Sequence, residues 1–288
     1  MNIQDKAPGG LRYMVVAAFF FSLMSLFVKL AGQRLPAVEI VFFRSAVMLV
    51  ISTILVRRAG IPMWGVNRRI LALRGVLGFC ALLGFFYAVT KLPLADVTVL
   101  HFTNPVFTAV LASLLLSESM SAREIGGLAL SLIGVAFVAR PSFLFGQWAG
   151  DLDLSVVAIA LVASLFSAGA YTTIRKLRNT EHLFVIVFYF SLVSAIASVP
   201  LTLKSFMWPT PAEWGLLLSI GVLTQTAQLF LTRGLMRERA GRAMSVSYVQ
   251  VLFAALWGFL FFGDRPTPLT AAGAVLVFAG SFVVARRS

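Results

Sequence analysis

The sequence is poor in charge. Only 12% of its 288 residues are Asp, Glu, Lys or Arg, about half the share of a soluble globular domain. Hydrophobic residues make up 59%, and mean hydropathy is +0.93. No single soluble core hides that much apolar surface, so the bilayer is the expected solvent. Acids are the scarcer sign, 11 against 24 Lys and Arg, which leaves a net charge of +13. Such a balance can mark a nucleic-acid binder. Here the cations fall in short clusters between apolar runs and form no basic face, so nucleic acid is not an expected partner. The one cysteine, Cys80, excludes an intrachain disulfide framework and argues against a cysteine-based metal centre. Histidine occurs twice, and no His/Cys/acid cluster has metal-ligand spacing. A P-loop and a dinucleotide-type glycine pattern are also missing. No cofactor is expected, and no ATP site is there to drive work. The Gly-Asp pair of "FFGDRP" sits in a loop without a partner for intramembrane proteolysis, so an enzyme is not expected either.

What the chain has is apolar length. A spanning helix needs about 20 mostly apolar residues. Ten stretches qualify: 11–31, 37–56, 70–90, 94–116, 122–139, 154–174, 183–203, 213–232, 242–262 and 268–285. Prolines and glycines punctuate the breaks, among them Pro36, Pro62, Pro93, Pro141, Pro209 and Pro266. The first stretch reads as a permanent helix and not as a cleaved leader. The expected fold is an all-α integral membrane protein with ten transmembrane helices. With the N-terminus placed in the cytoplasm, 17 of the Lys and Arg fall on the cytoplasmic side and six on the other. This is the positive-inside asymmetry. It places both termini in the cytoplasm and makes the excess of cations a topology signal.

Shifted by 146 residues, the sequence matches itself. "GVL" at 75–77 meets "GVL" at 221–223, and "VAR" at 138–140 meets "VAR" at 284–286. Phe42, Ser45, Phe107, Gly127 and Gly134 meet Phe188, Ser191, Phe253, Gly273 and Gly280, and Glu118 meets Asp264. The longest break, 142–153, divides the chain into repeats over 11–140 and 154–286. Each repeat holds five spans. Five is odd, so the second repeat enters from the opposite side. Inverted repeats are the architecture of many secondary transporters, with the cargo site near the midplane between repeats. A channel or a non-transporting scaffold is the alternative.

The stretch "LADVTVLHFTNPVFTAVLASLLLSESMSAREIGGLALSLIGVAFVAR" (94–140), with Pro105, Glu118 and its glycine pair, resembles the end of an EamA-type repeat of the drug/metabolite transporter superfamily. The second copy, 241–286, is similar, but carries Val251 where the proline usually stands and Asp264 for the usual Glu. "EIVFFRS" with "LRGVLGFCALLGFFYAVTKLPLADVTVL" is most similar to bacterial members related to the G group of solute carrier 35 proteins. The resemblance implies a carrier of small organic metabolites such as amino acids, vitamins, nucleotide derivatives or organic anions, in a bacterial inner membrane. The expected partners are that cargo and lipid, with a homodimer left open.

Polar side chains inside a span usually face a cavity or another helix. The fourth span carries Thr98, His101, Asn104 and Thr108 on one stripe. Ser247 and Gln250 are the repeat mates of His101 and Asn104, and Tyr248 lies beside them. Gln225 and Gln228 share a face of the eighth span. These residues are the expected cavity lining, with simple interhelical hydrogen bonds as the alternative. Arg44 lies about 10 Å into the second span at 1.5 Å per residue. It is expected to steady the outer half of the cavity as a gate or ion pair with Glu39 or Asp96, or else to meet an anionic group of the cargo. Its repeat mate is Phe190, which argues that the scaffold itself does not demand a cation there.

Overall fold

A computed structural model describes residues 9–91, 94–139, 144, 153–262 and 268–285. Every regular element among them is helical. The order is α1 (Gly10–Ala31), α2 (Ala37–Arg58), α3 (Arg68–Lys91), α4 (Leu94–His101), α5 (Asn104–Leu116), α6 (Ala122–Ala139), α7 (Leu154–Leu177), α8 (Leu183–Thr202), α9 (Pro211–Arg237), α10 (Ala240–Val246), α11 (Val249–Phe262) and α12 (Pro268–Ala285). These twelve segments make the ten expected spans, because the fourth and ninth are each broken. Eight spans are long and apolar enough to cross a bilayer. The other two, α6 and α12, have 18 residues each, about 27 Å of helix. The chain is an integral, multi-pass membrane protein.

The first break has a covalent cause. Pro105 lacks the N–H that would return to the carbonyl of His101. The chain tightens there, with Thr103 N donating to Leu100 O at 3.2 Å. The second break has no proline. Ser247 Oγ donates to Met244 O at 2.6 Å, and Ser247 N bonds the same carbonyl at 3.0 Å. A serine hydroxyl competing for the backbone acceptor loosens a helix in this way. The two breaks, at 102–103 and 247–248, lie one residue out of step at the 146-residue offset and share the mates Phe102 and Tyr248.

The chain forms two compact units, and each draws helices from both sequence halves. The first holds residues through Phe79 and Thr173–Arg237. In it α1 lies along α9 and α2 along α8. Thr202 Oγ1 reaches Val38 O at 3.4 Å, so the end of α8 meets the start of α2 and the two run antiparallel. Leu35, Ile40, Leu217 and Ile220 form part of its core. Phe20 stacks on Phe230 with ring centroids 6.1 Å apart. Past the end of α1, Arg34 Nε donates at 2.7 Å to Oε1 of Glu213 in the first turn of α9.

The second unit holds Cys80–Thr172 and Glu238–Ser288. Its main packing pair is α6 on α12. Small residues let the backbones touch, as at many helix contacts in membranes. A Cβ on Gly134 would stand 2.7 Å from Gly273 O, and one on Gly127 would stand 2.8 Å from Gly280 O. Early residues of α6 meet late residues of α12, so the helices are antiparallel. Each glycine meets the repeat mate of the other. Ser131 Oγ lies 3.5 Å from Val277 O, and those two positions are mates of each other. A pseudo-two-fold therefore passes between Ser131 and Val277. It turns one helix of the pair end for end onto the other, as an inverted repeat requires. Where α9 passes into α10, Glu118 Oε2 accepts from Ala240 N at 2.8 Å and Arg239 pairs with Glu124. Asp264, the mate of Glu118, lies outside the described residues.

Candidate functional site

In the second unit the two broken spans meet at their breaks. Phe102 and Tyr248, mates of each other, contact with ring centroids 5.8 Å apart. They belong to one core with Val99, Leu128, Val135 and Val277. The carbonyl that Pro105 frees is taken by Ser164, whose Oγ donates to His101 O at 3.2 Å and lies 2.8 Å from Thr103 Oγ1. Asn104 Nδ2 lies 3.4 Å from His101 Nε2, and the His101 ring packs on Phe85 at 4.7 Å. Thr108 Oγ1 donates to Asn104 O at 2.7 Å.

Two polar atoms at this crossing have no hydrogen-bond partner among the described residues: Asn104 Oδ1, on a residue 3% exposed, and Tyr248 Oη, on one 0% exposed. An unsatisfied buried polar atom costs about 1–3 kcal/mol. The fold carries two of them beside a helix break, where backbone geometry is already irregular. Tyr248 offers a donor and Asn104 an acceptor.

The structure brings Asn104, His101 and Tyr248 to this crossing. Ser247 lies at the break itself but spends its hydroxyl on Met244 O. Thr98 and Gln250 are half-buried on the same broken spans. Gln225 and Gln228 belong to the first unit. There, Gln225 Nε2 donates to Ser52 Oγ at 2.9 Å and Gln228 Oε1 accepts from Arg74 Nη2 at 3.3 Å. Glu39 is buried and accepts from Met207 N at 2.9 Å. No ion pair joins Glu39 to Arg44: Oε2 holds that backbone N–H, and Oε1 has no hydrogen-bond partner among the described residues. Arg44 is 5% exposed, and its Nε has no hydrogen-bond partner. The side chain of Asp96 lies outside the described residues.

Sequence reasoning missed Arg74. Its place behind the "RR" of 68–69 made it look like one more cytoplasmic loop cation. It lies inside α3, 2% exposed, with its guanidinium 4.5 Å from the Phe190 ring centroid. The available signal was its flanks, apolar on both sides in "LALRGVL". Ser52 and Ser164 were missed as well, since a lone serine in a span carries no periodic signature.

A match to known proteins covers the same ground. The profile of the EamA-like transporter family fits residues 9–140 and again 154–286. The chain belongs to the EamA-like transporter family. A pseudopaline exporter of Pseudomonas aeruginosa is 36% identical over 286 residues, covering 99% of this chain and 98% of its own. Solute carrier family 35 member G1 of Homo sapiens is 33% identical over 294 residues, 97% of this chain and 80% of its own. A crystal structure superposes with a TM-score of 0.83 over 96% of both chains at 15% identity, which is a likeness of fold. This EamA-like chain is thus a membrane transporter whose partners include a small molecule and lipid.

Proposed function

We propose that this EamA-like protein is a secondary transporter that exports a small organic metabolite by alternating access from a bacterial inner membrane, with both termini in the cytoplasm. The reading rests most on one observation. Two spans broken at the repeat mates Phe102 and Tyr248 cross there, and leave Asn104 Oδ1 and Tyr248 Oη in a buried place without a partner among the described residues. Broken helices that line a site are the way membrane carriers expose polar backbone and side-chain groups to cargo. The outward direction is taken from the relative named as an exporter, and the termini from the cation asymmetry.

The test is transport by reconstituted protein. Pseudopaline is the first cargo to try, followed by panels of amino acids and organic acids. The expected result is saturable movement that falls at least tenfold in Asn104→Leu while the variant keeps its melting temperature. Flux that rises without saturation would make the protein a channel. No flux of any compound in either direction would leave a scaffold.

A further inference from the structure

The first unit repeats one helix crossing twice. At α3 on α8, a Cβ on Gly75 would stand 2.7 Å from Val193. At α9 on α2, a Cβ on Gly221 would stand 2.5 Å from Val47. Gly75 and Gly221 are mates at the 146-residue offset, and so are Val47 and Val193. The two crossings are therefore equivalent halves of one pseudo-symmetric arrangement, and Val47 and Val193 each sit at the middle of a helix.

Each crossing carries one buried guanidinium. Arg74 precedes Gly75 and lies over Phe190, three residues before Val193. Gly78 makes the room, since a Cβ there would stand 2.5 Å from Arg74 Nη1 and 2.8 Å from the Phe190 ring. At the equivalent crossing the register is reversed. Arg44 stands three residues before Val47, and Ile220 precedes Gly221. Phe190, the mate of Arg44, thus receives its cation from the neighbouring helix. Each crossing keeps a cation close by in the chain, carried by the glycine-bearing helix in one and by the valine-bearing helix in the other. Because α2 and α8 run antiparallel, the two cations lie on opposite sides of the midpoint. Each is about one turn from it, so they are about 9 Å apart along the helices.

A guanidinium in a membrane interior is expensive and is normally paired. Arg44 has no ion pair among the described residues, and its Nε is orphaned at 5% exposure. The acid of its own helix, Glu39, makes no ion pair with it: Oε2 accepts from Met207 N, and Oε1 has no hydrogen-bond partner among the described residues. Resting on the transporter reading above, we infer that Arg44 and Arg74 are two oxyanion stations, one in each half of the first unit, for a cargo that carries a carboxylate or phosphate. The planar guanidinium fork fits both groups. A cargo group leaving one half meets a cation in the other, so its charge is met on both sides of the midpoint.

The test is thermal unfolding of the purified full chain. The probes are citrate, L-glutamate, inorganic phosphate and AMP, with putrescine and sodium chloride as controls at matched ionic strength. Wild type, Arg44→Met, Arg44→Lys and Arg74→Met are compared. At least one oxyanion is expected to raise the wild-type Tm saturably, by mass action on the native state, and its identity separates carboxylate from phosphate. The rise is expected to vanish in Arg44→Met and Arg74→Met. In Arg44→Lys, which keeps the charge and loses the fork, half-saturation should weaken about tenfold or more. Ligand-free Arg44→Met should melt no lower than wild type, since it sheds an unpaired buried charge. The inference is overturned if no oxyanion shifts the wild type, if the shift survives both Met variants, or if ligand-free Arg44→Met melts more than about 4 °C lower, as a structural arginine would. A shift that survives both Met variants, with transport still lost in Asn104→Leu, sinks the arginine stations and leaves the transporter reading. A shift lost in both Met variants, with no transport of any compound, does the reverse.

Discussion

The contact of α6 with α12 makes a prediction that can be worked through in numbers. Take two glycines on α6, Gly126 and Gly134. A Cβ on Gly126 would meet nothing within 4 Å. One on Gly134 would stand 2.7 Å from Gly273 O and from Val277 N, and 2.9 Å from Leu276 Cβ. Alanine is worth about 1 kcal/mol over glycine in a helix interior, so Gly126→Ala should stabilise by about that much. Gly134→Ala gains the same propensity but strikes backbone that cannot rotate away. Overpacking of this kind costs about 1–3 kcal/mol, and backbone targets put it at the upper end. The net loss is about 1–2 kcal/mol, a fall of about 2–4 °C in Tm against a rise of about 2 °C for Gly126→Ala. The pseudo-two-fold adds a stricter demand. Gly280→Ala strikes Gly127 O at 2.5 Å, the mate of the clash at Gly134, and should cost about the same as Gly134→Ala. Once the helices are spread by one Cβ the second finds space, so the double variant should lose less than the sum. Thermal unfolding in one detergent across the four variants decides it. If Gly134→Ala raises Tm as Gly126→Ala does, the direct backbone contact is wrong. If Gly134→Ala and Gly280→Ala differ by more than about 1 kcal/mol, the symmetry argument fails.

Three further outcomes follow from single contacts. Tyr248→Phe removes an unpartnered buried hydroxyl and should stabilise by about 1–2 kcal/mol while it lowers transport; a loss of stability would show that the hydroxyl has a partner. Glu118→Ala leaves the Ala240 N–H without its carboxylate and should cost about 0.5–2 kcal/mol, as for a lost helix cap, with Glu118→Gln recovering part of it in the same melt. His182 caps α8 by accepting from Phe184 N at Nδ1, and only the imidazole without a proton there can do so. Partial burial, and then the charge of Arg233, hold its pKa below the usual 6.5. The cap is therefore whole above pH 6.5 and is lost as pH falls from there toward the lowered folded value. The Tm difference between wild type and His182→Ala should shrink over that range, and His182→Asn should cap without titrating.

Hydropathy length placed the ten spans because a bilayer makes one demand of every segment, and long apolar runs answer it. Where a span breaks is a different matter. Pro105 announces the first break through its missing N–H, but the second turns on Ser247 bonding Met244 O, and a serine in a span looks the same whether it bonds backward or outward. Arg74 was obscured by its neighbours: three cations within seven residues read as a loop, although α3 had already begun at Arg68. The comparison of Arg44 with its repeat mate was incomplete for a different reason. Comparing Arg44 with Phe190 column by column suggests that one repeat needs a cation and the other does not. In three dimensions Phe190 has its guanidinium, delivered from Arg74 on α3. A repeat alignment compares a position with its mate along the chain, whereas a folded site compares a volume with its mate in space. Two helices can exchange the task of filling that volume without either sequence column showing a match. For an inverted-repeat carrier the quantity to align is therefore the crossing: Gly75 with Val193 against Gly221 with Val47 in this chain, with the charge sought on either partner.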